Sequence, residues 1–214
     1  MPRDIAISSE ISLTGEGAAW LPRHATVVIA DVHLGYATAA RRRGGYLPVI
    51  ESAAASAERA LAVARRVGAT RLVVAGDLRH STRDVDAAEL EEVRSFRAGL
   101  STLAHVELVA GNHDRGMAGV TTSTRVGHVE VCHAPPADIP ANWVICGHLH
   151  PAVTVRDETG AGARYPCALV GPRIVVLPAF SAWAGGVSVR RLLPSLPAGE
   201  WQSYPIAGGE IFAL

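Results

Sequence analysis

The sequence predicts an α/β fold in which a parallel β-sheet covered by helices packs against a second, mostly antiparallel sheet. In the first half, short apolar runs alternate with longer helical patterns, which is the order of strands joined by crossover helices. The second half carries short β-rich runs broken by Gly and Pro, with no long helical pattern. Since neither a linker nor a repeat divides the 214 residues, we expect one domain over residues 1–214.

The first half is predicted to contain three strands and two helices after an opening hairpin. Its elements are a hairpin over 5–21, strands over 27–30, 72–75 and 106–110, and helices over 48–67 and 87–103. Pro48 fits the first turn of a helix, and Gly68 ends it. The positions expected to be buried at helical spacing are Ile50, Ala54, Leu61 and Val63 in the first helix and Leu90, Val93, Phe96, Leu100 and Leu103 in the second.

The second half is predicted to form the second sheet. Its strands are expected over residues 121–126, 129–133, 144–146, 153–155 and 174–177. The chain after Arg190 is rich in Pro and Gly. We therefore expect the tail to wrap the surface, with residues 211–214 closing as an edge strand.

Composition limits the function. Arginine supplies all 20 basic residues and balances 20 acidic ones, which argues against a surface coated in basic charge but leaves a local patch open. Aromatic residues make up 5%, little sign of a platform that stacks single-stranded bases. No run is apolar enough for a membrane and no signal peptide is evident, so a cytoplasmic protein is expected. Three cysteines without CxxC spacing are expected to be reduced core residues.

Polar residues follow each predicted parallel strand. Asp31, Asp77 and Asn112 stand directly after strands or one glycine later, and ligands gather at the carboxyl ends of such strands. Taken alone, Asp77 is more simply a turn or N-cap aspartate. The other loops of the chain overturn that interpretation.

Five loops together carry a set of metal-ligand side chains: Asp31 and His33; Asp77; Asn112, His113 and Asp114; His133; and His148 with His150. This nitrogen and oxygen set suits manganese, iron or zinc better than calcium or a thiolate zinc site. In Asp31-x-His33 and His148-x-His150, an extended backbone would point both side chains into one cavity. A lone histidine such as His133 is more often an ordinary core or loop residue, so the combination carries the inference.

The motifs DVHLG, GD, GNHD, VCHAP and GHLH over residues 31–150 resemble those of the calcineurin-like metallophosphoesterases. The resemblance implies two mixed β-sheets packed as a sandwich and flanked by helices, a four-layer fold. RRGGYLP, GDLRHS and LPAFSAWAGG at 177–186 are similar to the ligase-associated DNA damage response phosphoesterases, a narrower subgroup.

The resemblance also implies a dinuclear metal site. One ion would be held by Asp31, His33, Asp77 and His150, and the second by Asp77, Asn112, His133 and His148. Manganese is the expected metal, with iron or zinc as alternatives. Asp77 would bridge two ions about 3.5–4 Å apart, because a shared carboxylate offsets their repulsion. His113 would stabilise developing charge or protonate the leaving oxygen, the alternative being a hydrogen bond that supports a ligand.

Several arginines and one histidine stay open to two interpretations. Arg79 and Arg115 either bind phosphate oxygens of the substrate or are solvated loop residues. The run of arginines at 41–43 either steers a polyanion or is a solvated face. His80 stands where many relatives carry an acidic residue, which weakens the expectation of a dyad between His113 and a carboxylate, although Asp114 is nearby.

The resemblance implies a metal-dependent phosphodiesterase or nuclease that acts on DNA in repair, beside a ligase, helicase or exonuclease and without a membrane. An enzyme for small or lipid-linked phosphates is the alternative, such as a cyclic nucleotide phosphodiesterase or a pyrophosphatase. The third class is a noncatalytic scaffold with the same fold, against which the intact ligand set counts.

Overall fold

The computed structural model describes residues 3–47, 50–83 and 85–214. Its architecture is mixed α/β with two large mixed sheets and flanking helices, so the predicted sandwich is confirmed. Within the described ranges, no helix is long and apolar enough to cross a membrane.

The first sheet positions three of the five loops that carry the predicted metal ligands. Its six strands lie in chain order: β1 (Asp4–Ala6), β2 (Ser12–Thr14), β3 (Ala19–Leu21), β4 (Thr26–Ile29), β5 (Arg71–Ala75) and β6 (His105–Val109). Strands β1 to β4 are antiparallel neighbours, whereas β4, β5 and β6 are parallel. The carboxyl ends of these three strands therefore open at one edge, as predicted.

The second sheet positions the other two loops that carry predicted metal ligands. Its strands are β7 (Ser123–Val126), β8 (Val129–Cys132), β9 (Val144–Cys146), β10 (Pro151–Arg156), β11 (Gly162–Gly171), β12 (Ile174–Val176), β13 (Val187–Ser188), β14 (Gln202–Ala207) and β15 (Glu210–Ile211). Central β9 runs parallel to β8 and β12, while β11 pairs antiparallel with β10, β12 and β14. The sheet is thus mixed.

Two strands of this sheet differ from the sequence prediction. The ten-residue β11 was not predicted, because Pro166 and its terminal glycines obscure the alternation. The expectation that the tail only wraps the surface was wrong, since β14 joins the sheet against β11. The edge strand expected at 211–214 is the short β15, paired with β14.

The helices are α1 (Tyr36–Arg42), α2 (Ala53–Val67), α3 (Ala87–Gly99) and α4 (Val189–Leu192). Helix α2 begins later than predicted, because the Ser52 hydroxyl accepts a hydrogen bond from the Ala55 N–H and caps it there. The expected start at Pro48 lies outside the described residues. Helix α1 was not predicted; it contains Arg41 and Arg42.

Burial follows the layers. The faces of the two sheets that meet share one apolar cluster, with Val73 of β5 and Ile145 of β9 fully buried. The outer face of the first sheet packs on α2 and α3, and the outer face of the second packs on α4. Ile50, Ala54 and Leu90 are exposed, so their predicted burial was wrong. All three cysteines are free, as expected, with Cys132 only half-buried.

Candidate metal centre

The site begins where two neighbouring strands of the first sheet end. Asp31 follows β4 and Asp77 follows β5, with exposed fractions of 0% and 2%. Their loops are joined by main-chain hydrogen bonds from Asp31 N–H to the Gly76 carbonyl (3.1 Å) and from His33 N–H to the Asp77 carbonyl (2.9 Å). The parallel pairing of β4 and β5 therefore continues into the ligand loops and places the two carboxylates side by side.

Five of the predicted metal ligands have a left-handed backbone: Asp31 (φ 55°), His33 (φ 51°), Asp77 (φ 47°), His148 (φ 71°) and His150 (φ 44°). The expectation that both D-x-H and H-x-H segments are extended was wrong. This region costs an L-residue roughly 1–2 kcal/mol, and such strain concentrates at functional sites. The turns, rather than strand alternation, bring each pair of side chains into one cavity.

One group of ligand atoms comes from Asp31, His33 and His150, all within 4.8 Å of one another. His33 Nε2 lies 3.2 Å from His150 Nε2, and His150 Nε2 lies 3.5 Å from Asp31 Oδ2. Two imidazoles and a carboxylate from both sheets thus converge on one point.

A second group combines Asp77, His133 and His148, again within 4.8 Å. His148 Nδ1 lies 2.9 Å from His133 Nε2, which lies 3.6 Å from Asp77 Oδ1. The amide oxygen of Asn112 lies 2.9 Å from the same His133 nitrogen. The four side chains predicted for the second ion are therefore neighbours.

Asp77 lies between the two groups. Its Oδ2 is 3.9 Å from His33 Nε2 in the first group, and its Oδ1 is 3.6 Å from His133 Nε2 in the second. The two oxygens of one carboxylate thus face two sets of donors, as a bridging ligand requires.

The donor set fits divalent metal ions. Burial, reinforced by the Asp77 charge, raises the pKa of Asp31 well above its usual value. Burial lowers the pKa of His33 to about 3 and of His150 to about 4, which keeps both imidazoles neutral near pH 7. Neutral imidazoles are the form that binds metal. Asp31 Oδ1 is buried without a hydrogen-bond partner among the described residues, so this carboxylate oxygen has an unused lone pair within the donor group.

Glycines allow this packing. A Cβ atom on Gly76 would collide with the His133 ring, and one on Gly147 would collide with the Asp31 carboxylate. Gly111 stands in the same relation to Asp77. The side chains of His133, Asp31 and Asp77 approach the glycine backbone so closely that any side chain at these three positions would displace one of them.

Asp114 organises the loop around Asp77, a role the sequence did not indicate beyond its place in GNHD. It is 1% exposed, and its carboxylate accepts hydrogen bonds from the N–H groups of Leu78 (3.1 Å), Arg79 (3.2 Å) and Gly111 (2.9 Å). It therefore joins the loop after β5 to the loop after β6.

His113 lies at the open side of the centre and is half-buried. The backbone N–H of His113 donates to Asp77 Oδ1 (2.9 Å), and its ring Nε2 lies 3.8 Å from Asp77 Oδ2. Its Nδ1 contacts the carbonyl of His80. Nδ1 is engaged with the backbone, so Nε2 is the ring nitrogen on the Asp77 side.

The two predicted phosphate-binding arginines differ. Arg79 is 9% exposed, and its guanidinium donates to the carbonyls of His113 (2.8 Å) and Arg115 (2.6 Å). Arg115 is exposed. Arg79 thus supports the loop that carries His113.

His80 adds a third imidazole to the surroundings of His33 and His113, with ligand atoms of all three within 4.8 Å. The backbone N–H of His80 donates to Oε1 of the fully buried Glu89 (3.1 Å), which also accepts from the backbone N–H of Ser81 (2.6 Å). A carboxylate is thus present behind His80, supplied by α3.

No family model matches the chain, and no curated protein matches it. Among solved structures, the fold is similar to that of the Pseudomonas putida nuclease MPE, with a TM-score of 0.70 and 22% sequence identity. The similarity covers 95% of this chain and 94% of that chain. The chain therefore shares, over nearly its whole length, the fold of this nuclease.

Proposed function

We propose that this protein is a dinuclear-metal phosphodiesterase that cleaves DNA, with residues 1–214 forming one domain. The observation that carries the proposal is the pair of donor groups on either side of the Asp77 carboxylate. Asp31, His33, Asp77 and His150 would hold one ion, and Asp77, Asn112, His133 and His148 the other. The triad of Asp31, His33 and His150 is a subset of the first set, and the triad of Asp77, His133 and His148 is a subset of the second.

Bound ions of this kind supply Lewis acidity and lower the pKa of a coordinated water from about 15.7 toward 7. The residues of the chain would then position the phosphate and protonate the leaving oxygen. His113 presents Nε2 on the open side of Asp77, where an imidazole stabilises charge on the phosphate or donates a proton to the leaving oxygen. Arg79 holds the His113 loop by two carbonyls, so we assign it to positioning and leave direct phosphate contact to Arg115.

DNA as the substrate is supported by the fold shared with a nuclease and by the motifs of the ligase-associated phosphoesterases. In that setting the protein would work in the cytoplasm beside a ligase, helicase or exonuclease of a repair system. Manganese is the proposed metal, with iron or zinc as alternatives, because the mixed imidazole and carboxylate set accepts all three ions and their availability decides among them.

The test compares three substrates with the manganese-loaded protein: single-stranded DNA, a cyclic nucleotide and a phosphomonoester. We expect cleavage of the DNA, dependence on added metal and loss of activity with chelator. Exclusive hydrolysis of the cyclic nucleotide would favour the small-substrate alternative. A protein that binds no metal and hydrolyses none of the three would be a scaffold, and the proposal would be wrong.

A further inference from the structure

Two aromatic rings stack beside the metal centre. The rings of Tyr36 and Trp183 have centroids 5.7 Å apart and planes 10° apart. The His80 ring lies 4.5 Å from Tyr36 on a tilted plane. Two of the aromatic residues of this chain thus form a small surface beside the candidate metal centre, although the low aromatic content of the sequence indicated no stacking platform.

A cavity of about 280 Å³ connects these rings to the ligands. Its walls include His33, His113 and His150 on the metal side, and Tyr36 and Trp183 on the aromatic side. A group bound against the two rings would therefore be adjacent to a phosphate bound at the metal centre.

A second cavity, of about 650 Å³, shares Tyr36 with the first and is bordered by Arg43 and Arg83. Both arginines are exposed. The open side of the site thus combines cationic side chains with a flat apolar surface. A nucleic acid strand matches both features, because its phosphates bind cationic side chains and its bases stack on aromatic rings.

The aromatic pair is tied to the ligand loops by the backbone. Tyr36 begins α1, and its N–H donates to the His33 carbonyl (3.3 Å). The backbone N–H of Trp183 donates to the Ser181 hydroxyl (3.3 Å), and the backbone N–H of Ser181 donates to the Asp31 carbonyl (3.1 Å). The backbone of each aromatic residue is therefore held close to a predicted metal ligand.

Trp183 does not serve the core. It is only partly buried, whereas Phe180 in the same segment is 2% exposed and packs under the guanidinium of Arg59 at 3.7 Å. Phe180 anchors the segment, which leaves Trp183 at the wall of the cavity.

We propose that Trp183 and Tyr36 bind the nucleobase next to the cleaved phosphate, as specificity-determining residues. This rests on the proposed nuclease function. Every nucleobase has a face that stacks on an aromatic ring, so the surface selects for the presence of a base and tolerates its identity. The protein would prefer a substrate that carries a base at this position, because the nucleobase would add a third ring to the stack.

The test uses two end-labelled oligonucleotides of equal length and charge: oligothymidylate, and the same backbone with abasic tetrahydrofuran sugars. Steady-state kcat and KM are measured for the wild type, Trp183→Ala and Trp183→Phe, with Trp201→Phe as the matched control. Trp201 donates to the Pro197 carbonyl and borders a different cavity. Quenching of tryptophan fluorescence by each oligonucleotide gives a binding readout independent of turnover.

We expect the wild type to have a lower KM for oligothymidylate than for the abasic strand, by about five- to hundred-fold. Trp183→Ala should cancel that preference, Trp183→Phe should retain most of it, and Trp201→Phe should leave it unchanged. Quenching of Trp183 by oligothymidylate should be lost in both Trp183 variants and retained in Trp201→Phe. Equal KM values for both strands in the wild type would overturn the base-binding surface while leaving the nuclease intact. Failure to cleave either strand would instead overturn the proposed function and, with it, this inference.

Discussion

The backbone N–H of His148 donates a 2.7 Å hydrogen bond to Oδ2 of Asp31, and this bond joins the two sheets at the candidate metal centre. Asp31 follows β4 of the first sheet, and His148 follows β9 of the second. Neither the group of Asp31, His33 and His150 nor the group of Asp77, His133 and His148 is complete on one sheet, since each draws on both. Changes that separate the loops should therefore act on metal binding before they act on the fold.

Replacing Asp114 tests the connection between the loops after β5 and β6. Asp114→Ala removes the acceptor of three buried N–H groups, so we expect the free energy of unfolding to fall by about 1–3 kcal/mol. Metal affinity should fall roughly 10- to 100-fold, because the loop orients Asp77. Chemical denaturation and metal titration measure the two effects, with exposed Asp138→Ala as the control. Unchanged metal affinity would contradict the role given to Asp114.

Alanine variants of two glycines distinguish the effect of backbone strain from the effect of crowding against a side chain of the site. Gly76 (φ 86°) and Gly68 (φ 75°) both have left-handed backbones, but only Gly76 has a ligand ring where a Cβ would lie. Each alanine variant should lose about 1–2 kcal/mol of stability from the backbone. Gly76→Ala should in addition weaken metal binding about tenfold or more by displacing His133. Metal titration of both variants measures this difference in affinity, and equal affinities would refute the crowding argument.

The pH dependence of stability should include a contribution from Glu51. Burial alone would raise its pKa, but hydrogen bonds and charge from Arg59 (Oε1 to Nε, 2.8 Å) bring it below the ordinary 4.5. Because the unfolded chain binds this proton more readily, the stabilisation is complete above about pH 4.5 and is lost as the pH falls through the native pKa.

Glu51→Gln should therefore lower Tm near neutral pH, and the gap to wild type should shrink as the pH falls below about 4.5. Thermal melts over this range measure the gap, and Glu158→Gln at an exposed position serves as the control. A gap that stays constant with pH would show that the loss comes from packing rather than from ionisation.

Binding of single-stranded DNA should depend on salt through Arg43 and Arg83, which border the open side of the site. Arg43→Gln combined with Arg83→Gln should reduce the log–log salt slope by about 1.4, or roughly 0.7 for each lost phosphate contact. The double variant Arg65→Gln and Arg94→Gln removes equal charge from helix residues paired with glutamates. Filter binding at several salt concentrations should distinguish the pairs; identical slopes would exclude the two cavity arginines from the DNA path.

Much of the architecture was predictable because apolar runs and their terminal residues are local signals. The strands that lead to Asp31 and Asp77 were expected within one or two residues of their observed bounds. By contrast, β11 and β14 escaped prediction, since their pairing is long-range and Pro166 and Pro205 lie within them. Helix α1 was missed because the arginine and glycines that follow it indicate a loop. The hydrogen bond from Arg42 to the Ser81 hydroxyl is a long-range contact that no local pattern reveals.

The chemistry of the site was more predictable than its geometry. Residue types alone indicated which side chains converge, whereas the left-handed turns that bring them together leave no pattern in a run of Asp, His and Leu. The roles of Asp114 and Arg79 depend on backbone partners more than 30 positions away, which no local motif reveals. The stacking of Tyr36 on Trp183 likewise depends on the tertiary fold.

The bridging role of Asp77 is the central claim, and metal stoichiometry measured together with hydrolysis tests it most directly. Asp77→Asn keeps the size of the side chain but removes the charge and one of the two ligand oxygens. Elemental analysis of the manganese-loaded proteins should find two ions per chain in the wild type and fewer than two in the variant. Hydrolysis of a chromogenic phosphodiester should be abolished in the variant. Two bound ions together with wild-type turnover in Asp77→Asn would contradict the claim.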